Sequence, residues 1–388
     1  MRICYVNPAI LLRRPIAQIL QMIAKEHEVA LLIPKHLGKP LDNSLHYSDL
    51  PPNVKVFTYS VIQPTFLPYE WPIPVTPMLF IHLVRVYLRY DIIHMWAHFY
   101  LVNFFCAVLG LFFKNKLILT MDTVAGYSFS AGKKYDVLFR LYYKLFGWVI
   151  FGSPARITLY GKSLIPYAKQ AGIATNKVRV ITTGIHVSSK RIGDPVAIRK
   201  EFKLKDEKIL LFVGLLVPRK GVDILLKIMC KLTIRDFKLF VIGDGPNRRR
   251  YEELAKELGL DDRVIFTGFR KDVFNFYSVS HLFVFPSRGE GLPGVIMESM
   301  VTGLPVVASK IPCIPELVKD GKSGYLCPND DIECFKQRIE KLLKDENLRK
   351  KFSEEGFKII QNFDWKKVII KYRNLYKEII NASQKRTY

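Results

Sequence analysis

The chain has 388 residues, 49% of them hydrophobic, and its 59 Lys and Arg against 35 Asp and Glu give a formal net charge of +24. This length exceeds what one ordinary core supports, so a single domain is excluded and two are expected. The charge favours a phosphate-bearing partner, namely a nucleotide, an anionic membrane surface or nucleic acid. Nucleic acid is disfavoured because the basic residues are spread along the chain and form no known binding motif.

The cysteines and the N-terminus bear on the compartment. Six cysteines are scattered without a Cys-x-x-Cys pair, which predicts reduced thiols and a cytoplasmic protein. They are Cys4, Cys106, Cys230, Cys313, Cys327 and Cys334. The sequence begins directly with an apolar run and shows no basic-apolar-small signal sequence, so secretion is not expected.

Short apolar runs alternate with helical segments along the whole chain. The first series of predicted strands covers residues 2–7, 28–33, 54–59, 91–95, 117–121, 156–159 and 178–182. The second series covers residues 209–214, 238–242, 264–267, 282–285, 306–308 and 324–326. Such alternation predicts parallel sheets with helices on both faces.

The polar stretch 183–195 contains Gly and Pro but no apolar period, and it separates the two series. The predicted fold class is therefore α/β, with two doubly wound, Rossmann-like parallel-sheet domains facing a cleft. They cover residues 1–187 and 188–363. Residues 364–388 have helical periodicity, and we expect them to pack back on the first domain. Ligands of open parallel sheets bind at the carboxyl ends of strands, which should line the cleft.

Two segments of the first domain suggest a membrane. Residues 92–113 are apolar and long enough to span a bilayer, but His94, His98 and Asn103 favour a strand followed by a buried helix. In residues 133–148, Lys133 and Arg140 share a helical face with Lys144 among aromatic residues. This pattern suits an anionic membrane surface, and it equally suits a buried helix whose charged stripe meets solvent.

Three strand ends of the second domain carry candidate binding residues. Gly214 and the basic pair Arg219 and Lys220 follow the first strand, and such a pair can neutralise a diphosphate. A solvated basic turn is the alternative. The Gly243 turn follows the second strand, and Gly268 with Arg270 follows the third. We expect the three strand ends to converge on one site.

Two glutamates follow the fourth strand of this domain. Glu290 lies on a glycine-rich loop, and Glu298 lies inside a helix expected to begin near Pro293. The unpaired amides and dipole of a helix N-terminus attract phosphate, and Gly294 and Val295 can supply N–H groups, whereas proline has none. Two ordinary surface glutamates are the alternative. Glu298 is flanked by apolar residues, where an unpaired charge is costly, so a partner such as a ribose diol is expected.

Residues 209–326 resemble the corresponding domain of retaining GT-B-fold glycosyltransferases, specifically glycosyltransferase family 4. The strand-end glycines, Lys220 and the two glutamates occur in the order and spacing of the family. The resemblance implies that Glu290 holds hydroxyls of the donor sugar, Glu298 the ribose hydroxyls and Lys220 the diphosphate. It also implies retention of the anomeric configuration. The first domain is similar more loosely, through residues 1–3, 27–29, 91–94 and 177–185.

The sequence departs from the family at three positions. Leu215 stands where the family usually has Arg, and Arg219 is the candidate substitute. The loop 7–15 lacks the usual Gly-Gly pair, which leaves Arg13 or Arg14 to face the cleft. Asp122 stands where the family often has His, and it is a candidate base or a structural hydrogen-bonding residue.

The predicted function is transfer of a sugar from a nucleoside diphosphate sugar to a hydroxyl of a lipid-linked or cell-surface glycan. The predicted catalytic residues are Glu290, Lys220, Arg219 and Asp122. The predicted donor-binding residues are Gly214, Lys220, Gly243, Gly268, Arg270, Glu290, Gly294, Val295 and Glu298. No cofactor or metal is expected, because the sequence has no Asp-x-Asp clamp and no His/Cys cluster at zinc spacing. The leaving diphosphate would then be stabilised electrostatically by the protein.

The sequence leaves two alternatives open. One is a nucleotide-sugar epimerase of related fold, which needs no acceptor. The other is a non-catalytic protein that binds a nucleotide sugar. The expected location is cytoplasmic, peripheral on the cytoplasmic face of a membrane, with no nucleic acid partner.

Overall fold

The computed structural model describes residues 1–10, 12–36, 50–63, 72–113, 116–130, 132–187 and 193–384. The chain divides into two compact units, one made of Met1–Gly184 with Lys366–Tyr388 and the other of Ile185–Trp365. Three predicted features extend beyond the described residues. These are residues 188–192 of the polar boundary stretch, residue 11 of the loop 7–15, and residues 385–388 at the C-terminus.

The first unit contains an eight-stranded sheet. Its strands are β1 (Arg2–Val6), β2 (Glu28–His36), β3 (Lys55–Ile62), β4 (Ile73–Pro74), β5 (Ile92–Trp96), β6 (Leu117–Met121), β7 (Arg156–Leu159) and β8 (Val178–Val180). The spatial order is β4-β3-β2-β1-β5-β6-β7-β8, and the pairing is parallel except between β3 and β4. Strands β5 and β6 are buried throughout, as expected for continuous apolar runs covered on both faces.

The helices of the first unit follow its strands. They are α1 (Arg14–Ile23), α2 (Met78–Arg89), α3 (Leu101–Phe112), α4 (Lys133–Ile150) and α5 (Ile165–Gln170). The second unit contains α6 (Pro195–Glu201), α7 (Val222–Lys231), α8 (Arg248–Glu257), α9 (Val273–Val279), α10 (Gly294–Val301), α11 (Ile314–Leu317), α12 (Ile332–Lys344) and α13 (Glu346–Ile360). The last helix, α14 (Trp365–Gln384), falls almost entirely in the first unit.

The second unit contains a six-stranded sheet. Its strands are β9 (Lys208–Val213), β10 (Phe237–Ile242), β11 (Val264–Gly268), β12 (Leu282–Phe285), β13 (Val306–Ser309) and β14 (Gly324–Cys327). The spatial order is β11-β10-β9-β12-β13-β14, and the pairing is parallel throughout. Connections run outwards in both directions from the neighbouring strands β9 and β12, which makes the sheet doubly wound. The predicted class of two parallel-sheet α/β domains is confirmed.

Helix α14 packs on the sheet of the first unit through buried polar contacts. The Tyr376 hydroxyl lies 2.9 Å from the Tyr5 hydroxyl and 2.8 Å from Nδ1 of His94. Nε2 of His94 lies 2.6 Å from Oγ1 of Thr120. Polar atoms buried this deeply require such partners, so the network fixes the position of the helix on β1, β5 and β6.

The apolar segment 92–113 forms β5 and then α3, as its polar residues predicted. Helix α3 has 12 residues, and at about 1.5 Å per residue it falls well short of a hydrocarbon layer about 30 Å thick. Over the described ranges, none of the helices combines the length and the apolar character needed to cross a bilayer.

The expectation of six reduced thiols is wrong for one pair. Cys327, at the end of β14, and Cys334, in the first turn of α12, form a disulfide with Cα atoms 5.8 Å apart. The Asp331 carboxylate accepts a hydrogen bond of 2.9 Å from the Cys334 amide and caps α12, so the chain turns back toward the strand. The spacing of the cysteines in the sequence does not reveal that turn. Because this pair forms a disulfide, it no longer supports the cytoplasmic location that reduced thiols predicted for the protein.

Candidate functional site

Glu290 lies on the loop after β12, and three side chains surround one of its carboxylate oxygens. Lys220 Nζ donates to Glu290 Oε1 at 2.7 Å, and Ser287 Oγ donates to the same atom at 2.6 Å. Arg219 Nη1 lies 3.4 Å from it. The Glu290 side chain is only 8% exposed, so these partners offset the cost of burying its charge. We call these four residues the Glu290 cluster.

The Glu290 cluster depends on a close approach between two loops. The turn Pro218–Lys220 is followed by Gly221, whose φ is +71°. A Cβ atom at Gly221 would lie 2.0 Å from the carbonyl oxygen of Pro286, so only glycine permits this approach. Arg219 Nη1 also donates to the Gly289 carbonyl at 2.6 Å. The loop after β9 is thereby held against the loop after β12.

Arg288 strengthens the same junction. Its guanidinium donates two hydrogen bonds of 2.9 and 2.8 Å to Asp223, and it donates to Asp330 at 2.8 Å. Burial of the Asp223 carboxyl raises its pKa, but the hydrogen bonds and charge of Arg288 outweigh this effect and leave the pKa below its ordinary value. Because Asp223 lies in the first turn of α7, Arg288 ties that helix to the loop carrying Glu290. No pattern in the sequence predicted this contact.

The structure brings together the three predicted strand ends of this unit. The amide of Gly214 donates to the carbonyl of Ile242 at 2.9 Å, and the amide of Gly243 donates to the carbonyl of Gly268 at 2.9 Å. Gly243 has a φ of +130°, and a Cβ atom there would lie 2.0 Å from the Gly214 carbonyl oxygen. The ends of β9, β10 and β11 can meet this closely only because glycine occupies the contact.

Two arginines near these strand ends differ from expectation. Arg270, predicted to contact the donor, donates to both carboxylate oxygens of Glu201 and of Asp272, and it lies over the ring of Phe276. The structure therefore pairs it with these acids, and a role in donor binding stays a prediction. Arg248 was not predicted to lie near these strand ends. Its Nη1 would be 2.9 Å from a Cβ atom at Gly268, so its side chain lies against the end of β11.

Leu215 is exposed on the loop after β9, at the position where the sequence departs from the family pattern. Arg219 reaches the Glu290 cluster from the same loop. The expected substitute for the missing arginine is thus placed beside Glu290.

Helix α10 presents its N-terminus on the loop that carries Glu290. The helix begins at Gly294 after Pro293, as predicted. A Cβ atom at Gly294 would have no atom within 4 Å, so there is open space in front of the first turn. The first amides of a helix lack intrahelical acceptors and point along its axis, so Gly294 and Val295 can offer N–H groups to an anion in that space.

Glu298 has a protein partner that the sequence did not reveal. The buried Tyr277 hydroxyl, on α9, lies 3.2 Å from Glu298 Oε2 and 3.1 Å from the Val295 carbonyl oxygen. Glu298 itself is half-buried, so part of its carboxylate remains accessible. Tyr277 precedes Glu298 by 21 residues and lies in another helix, which is why no local pattern pointed to it.

In the first unit, Asp122 pairs with Arg13. Arg13 Nη1 donates to Asp122 Oδ2 at 2.7 Å, which places the N-terminus of α1 beside the end of β6. The pair lines a small pocket together with Asn7, Pro8, Ala9, Trp96, Ala97 and Tyr100. Of the two arginines considered from the sequence, Arg13 is therefore the one that faces Asp122.

His98 lies near this pocket and is fully buried. Its Nε2 is 2.6 Å from the Tyr143 hydroxyl, which itself donates to the Ala125 carbonyl at 3.0 Å. This arrangement assigns the imidazole proton to Nε2. Burial lowers the pKa of His98 to about 4, and the negative charge of Asp122 opposes that effect only in part. His98 is thus a neutral hydrogen-bond donor at neutral pH.

The second unit is similar in sequence to a known protein family. Residues 195–359 match the family model described as glycosyl transferases group 1. The match covers less than half of the chain, and over these residues the chain is similar to the glycosyl transferases group 1. The predicted resemblance to glycosyltransferases is confirmed over these residues.

Two relatives show how far the similarity extends. The N-acetyl-alpha-D-glucosaminyl L-malate synthase of Bacillus anthracis is 29% identical over 190 residues, which cover 48% of this chain and 50% of the relative. An uncharacterized glycosyltransferase of Methanocaldococcus jannaschii is 27% identical over 347 residues, covering 85% of this chain and 86% of the relative. The chain thus spans about half the length of the first relative and most of the second.

A solved structure has the same fold. The HepE protein of Anabaena in complex with UDP has a TM-score of 0.79 at 18% identity, covering 97% of this chain and 100% of that one. HepE in complex with UDP-glucose has a TM-score of 0.73, also at 18% identity, covering 98% of this chain and 100% of that one. The GT-B-type architecture expected from the sequence is confirmed.

Proposed function

We propose that this chain is a retaining, metal-independent glycosyltransferase. It moves a sugar from a nucleoside diphosphate sugar to a hydroxyl of a lipid-linked or cell-surface glycan. The observation that carries the proposal is the Glu290 cluster, where two cations and a buried carboxylate lie on the loops after β9 and β12, ahead of an open helix N-terminus. The retaining course follows from the resemblance to glycosyltransferase family 4.

The charges of the cluster suit the leaving group of this reaction. As the bond between the anomeric carbon and the diphosphate oxygen breaks, negative charge grows on the diphosphate. Lys220 and Arg219 supply positive charge, and the amides of Gly294 and Val295 supply further donors. The acceptor oxygen forms the new bond on the face that the leaving group vacates. Its proton passes to the departing diphosphate or to Asp122.

The two glutamates contact different parts of the donor in this proposal. Glu290, held by Lys220 and Ser287, accepts hydrogen bonds from hydroxyls of the sugar. Glu298, held by Tyr277, accepts from the ribose hydroxyls. A carboxylate whose second oxygen is already fixed by the protein orients a sugar at little entropic cost. The UDP and UDP-glucose held by HepE support a uridine diphosphate sugar as the first donor to test.

Metal independence is part of the proposal, because Lys220 and Arg219 beside Glu290 can supply the positive charge that the leaving diphosphate needs. We expect donor turnover to persist after dialysis against EDTA. A requirement for added Mg²⁺ or Mn²⁺ would contradict this part and leave the donor site itself unaffected.

The deciding experiment is slow donor hydrolysis by the purified chain, measured across a panel of nucleoside diphosphate sugars. Lys220→Ala and Glu290→Ala should abolish hydrolysis of the preferred donor, whereas Lys227→Ala, an exposed change on α7, should leave it unchanged. The proposal fails if no donor is consumed and neither site substitution alters nucleotide binding.

Product analysis separates the remaining candidates. An altered or epimerised sugar released without any acceptor would identify an epimerase. Nucleotide binding that depends on Lys220 but yields no turnover would identify a non-catalytic binding protein. The proposed location stays cytoplasmic, and the exposed apolar residues of α4 support a peripheral position on a membrane face.

A further inference from the structure

The exposed apolar side chains of the first unit are concentrated on three helices. Helix α2 exposes Phe80 and Leu88, α3 exposes Phe112, and α4 exposes Val137, Leu141 and Trp148. Trp148 is 69% exposed and Phe112 is 77% exposed. Soluble monomers rarely leave large apolar side chains grouped in this way, because each one costs hydration free energy.

The three helices form one layer. The rings of Phe80 on α2 and Phe105 on α3 have centroids 4.8 Å apart. The rings of Phe104 on α3 and Phe146 on α4 have centroids 5.4 Å apart. Helix α3 therefore lies between α2 and α4, and we call the exposed side of this layer the apolar face.

Helix α4 shows that the apolar face is separate from the core. Its buried side is formed by Phe139, Tyr143, Val149 and Ile150, which pack into the unit. Leu141, Leu145 and Trp148 recur at helical spacing on the outer side and are exposed. These outer side chains stay half-exposed or more within the unit, so they are available for an apolar contact outside it.

The charges around the apolar face indicate what kind of contact this is. Exposed Arg85 and Arg89 lie on α2, and exposed Lys134 and Lys144 lie on α4. Asp136 is the sole acidic residue in the sequences of these three helices. A second copy of the chain would present the same positive charges across a symmetric interface, which disfavours self-association. An anionic lipid surface complements both the charge and the apolar residues.

We propose that α2, α3 and α4 bind the surface of a bilayer containing anionic phospholipid, with the apolar side chains in the interface and the basic side chains at the headgroups. Helix α4 also holds the segment that follows Asp122. Arg140 Nε donates to the Gly126 carbonyl at 2.9 Å, and the Tyr143 hydroxyl contacts the Ala125 carbonyl. The membrane contact is therefore built onto the loop that carries Asp122. It extends the proposed function by supplying a lipid-linked acceptor, while donor hydrolysis in solution does not depend on it.

Vesicle flotation of the full chain tests the proposal. We expect the chain to float with vesicles of phosphatidylglycerol and phosphatidylcholine at low salt, and not with vesicles of phosphatidylcholine alone. At about 1 M salt the Debye length falls to about 3 Å, so binding should be at least tenfold weaker. Leu141→Glu combined with Trp148→Glu should lower binding at least tenfold. Phe269→Glu, which alters an exposed apolar residue of the second unit, should not.

A charge pair provides a second comparison. Lys134→Glu with Lys144→Glu should lower binding to anionic vesicles at least tenfold. Lys227→Glu with Lys256→Glu, the same charge change at exposed positions of the second unit, should lower it no more than twofold. Circular dichroism and the melting temperature establish that each variant is folded.

Three results would overturn the proposal. The first is no flotation of the parent chain at low salt. The second is flotation of the Leu141→Glu and Trp148→Glu variant equal to that of the parent chain. The third is a dimer of the parent chain in light scattering that these two substitutions dissociate, with no vesicle binding by the parent chain. The last result would assign the apolar face to a second copy. If a variant no longer floats but still hydrolyses the donor, the reaction does not depend on the membrane contact. If the parent chain floats but does not hydrolyse the donor, only the proposed reaction is refuted.

Discussion

Lys220 Nζ and Glu290 Oε1 lie 2.7 Å apart, and the side chains of both residues are largely buried. The ammonium group has three protons, so Lys220 can keep this contact while donating to an oxygen of a diphosphate. Arg219 and Ser287 hold the same carboxylate oxygen from other directions. Contacts within the protein thus order the side chains of the site.

Replacing Lys220 with Met keeps much of its aliphatic stem and removes its charge. We expect donor turnover to fall about 100-fold, because one charge-assisted donor to the leaving diphosphate is lost. Glu290 keeps Arg219 and Ser287, so the variant should remain folded with a lowered melting temperature. Steady-state hydrolysis and thermal denaturation are the measurements. Lys227→Met, on the exposed side of α7, is the matched control, and equal turnover in the two variants would refute the role of Lys220.

Tyr277→Phe removes one hydroxyl with almost no change of volume. That hydroxyl contacts Glu298 Oε2 and the Val295 carbonyl, so its loss frees the carboxylate and leaves a carbonyl without this partner. We expect a cost of about 1–2 kcal/mol in unfolding free energy and a severalfold higher KM for the donor, with little change in kcat. Donor kinetics and urea denaturation test this. An unchanged KM together with a stability loss would make Tyr277 a purely structural residue.

Two glycine substitutions should have opposite effects on folding. Gly294→Ala meets no atom within 4 Å, so we expect an unchanged or slightly higher melting temperature, but weaker donor binding because the new methyl group enters the space in front of α10. Gly221→Ala would place a Cβ atom 2.0 Å from the Pro286 carbonyl oxygen at a φ of +71°, and we expect little soluble protein. Soluble yield, melting temperature and nucleotide titration distinguish the two. Tight donor binding by Gly294→Ala would argue against an anion at this helix end.

The buried His98 predicts a dependence of stability on pH. Its folded pKa of about 4 is below the value of 6.5 for an unperturbed histidine, so the unfolded chain binds more protons between these values. Stability should therefore fall as the pH drops from about 6.5 toward 4, and His98 alone accounts for about 2 kcal/mol at pH 5. Urea denaturation at pH 7.5 and pH 5 should show a smaller loss for His98→Gln than for the parent chain. The exposed His186→Gln serves as the control, and an identical loss for His98→Gln would refute the assignment.

Asp122→Asn tests the candidate base in the first unit. The change keeps the shape of the side chain but removes the charge that pairs with Arg13. If Asp122 accepts the proton of the acceptor, transfer should fall at least tenfold more than donor hydrolysis, and the loss should be smaller at high pH. Both products can be followed by chromatography over a range of pH. Arg13→Gln removes the partner of Asp122 but keeps the carboxylate, so it separates the loss of the base from the loss of the ion pair. If Asp122→Asn lowers transfer and hydrolysis equally, Asp122 is a structural residue.

Much of the fold could be predicted because its elements are specified locally. The bounds of β12 are those expected from the sequence, since an apolar run ended by proline defines the strand. The short antiparallel strand β4 was not predicted. It has two residues, one of them proline, and it exists through its pairing with β3 rather than through a pattern of its own.

The candidate site was predictable only in part. The strand-end glycines and both glutamates were identified from their order and spacing. Tyr277 and Arg248 were not identified, because nothing near them in the sequence distinguishes them from ordinary helix residues. Arg270 looked like a ligand contact on sequence grounds, but its pairing with Glu201 links residues 69 positions apart.

The sequence by itself determined the strands, the helices and the glycines at tight turns, because apolar burial and backbone sterics act over a few neighbouring residues. Only the tertiary structure decided which charges meet. Lys220 and Glu290 are 70 residues apart in the chain, and their contact requires two loops to be brought together by the parallel pairing of β9 with β12 and by the close approach at Gly221. The same is true of the apolar face, which exists because α2, α3 and α4 pack side by side. Ion pairs and surfaces of this kind depend on distances across the fold, and a linear pattern does not encode those distances.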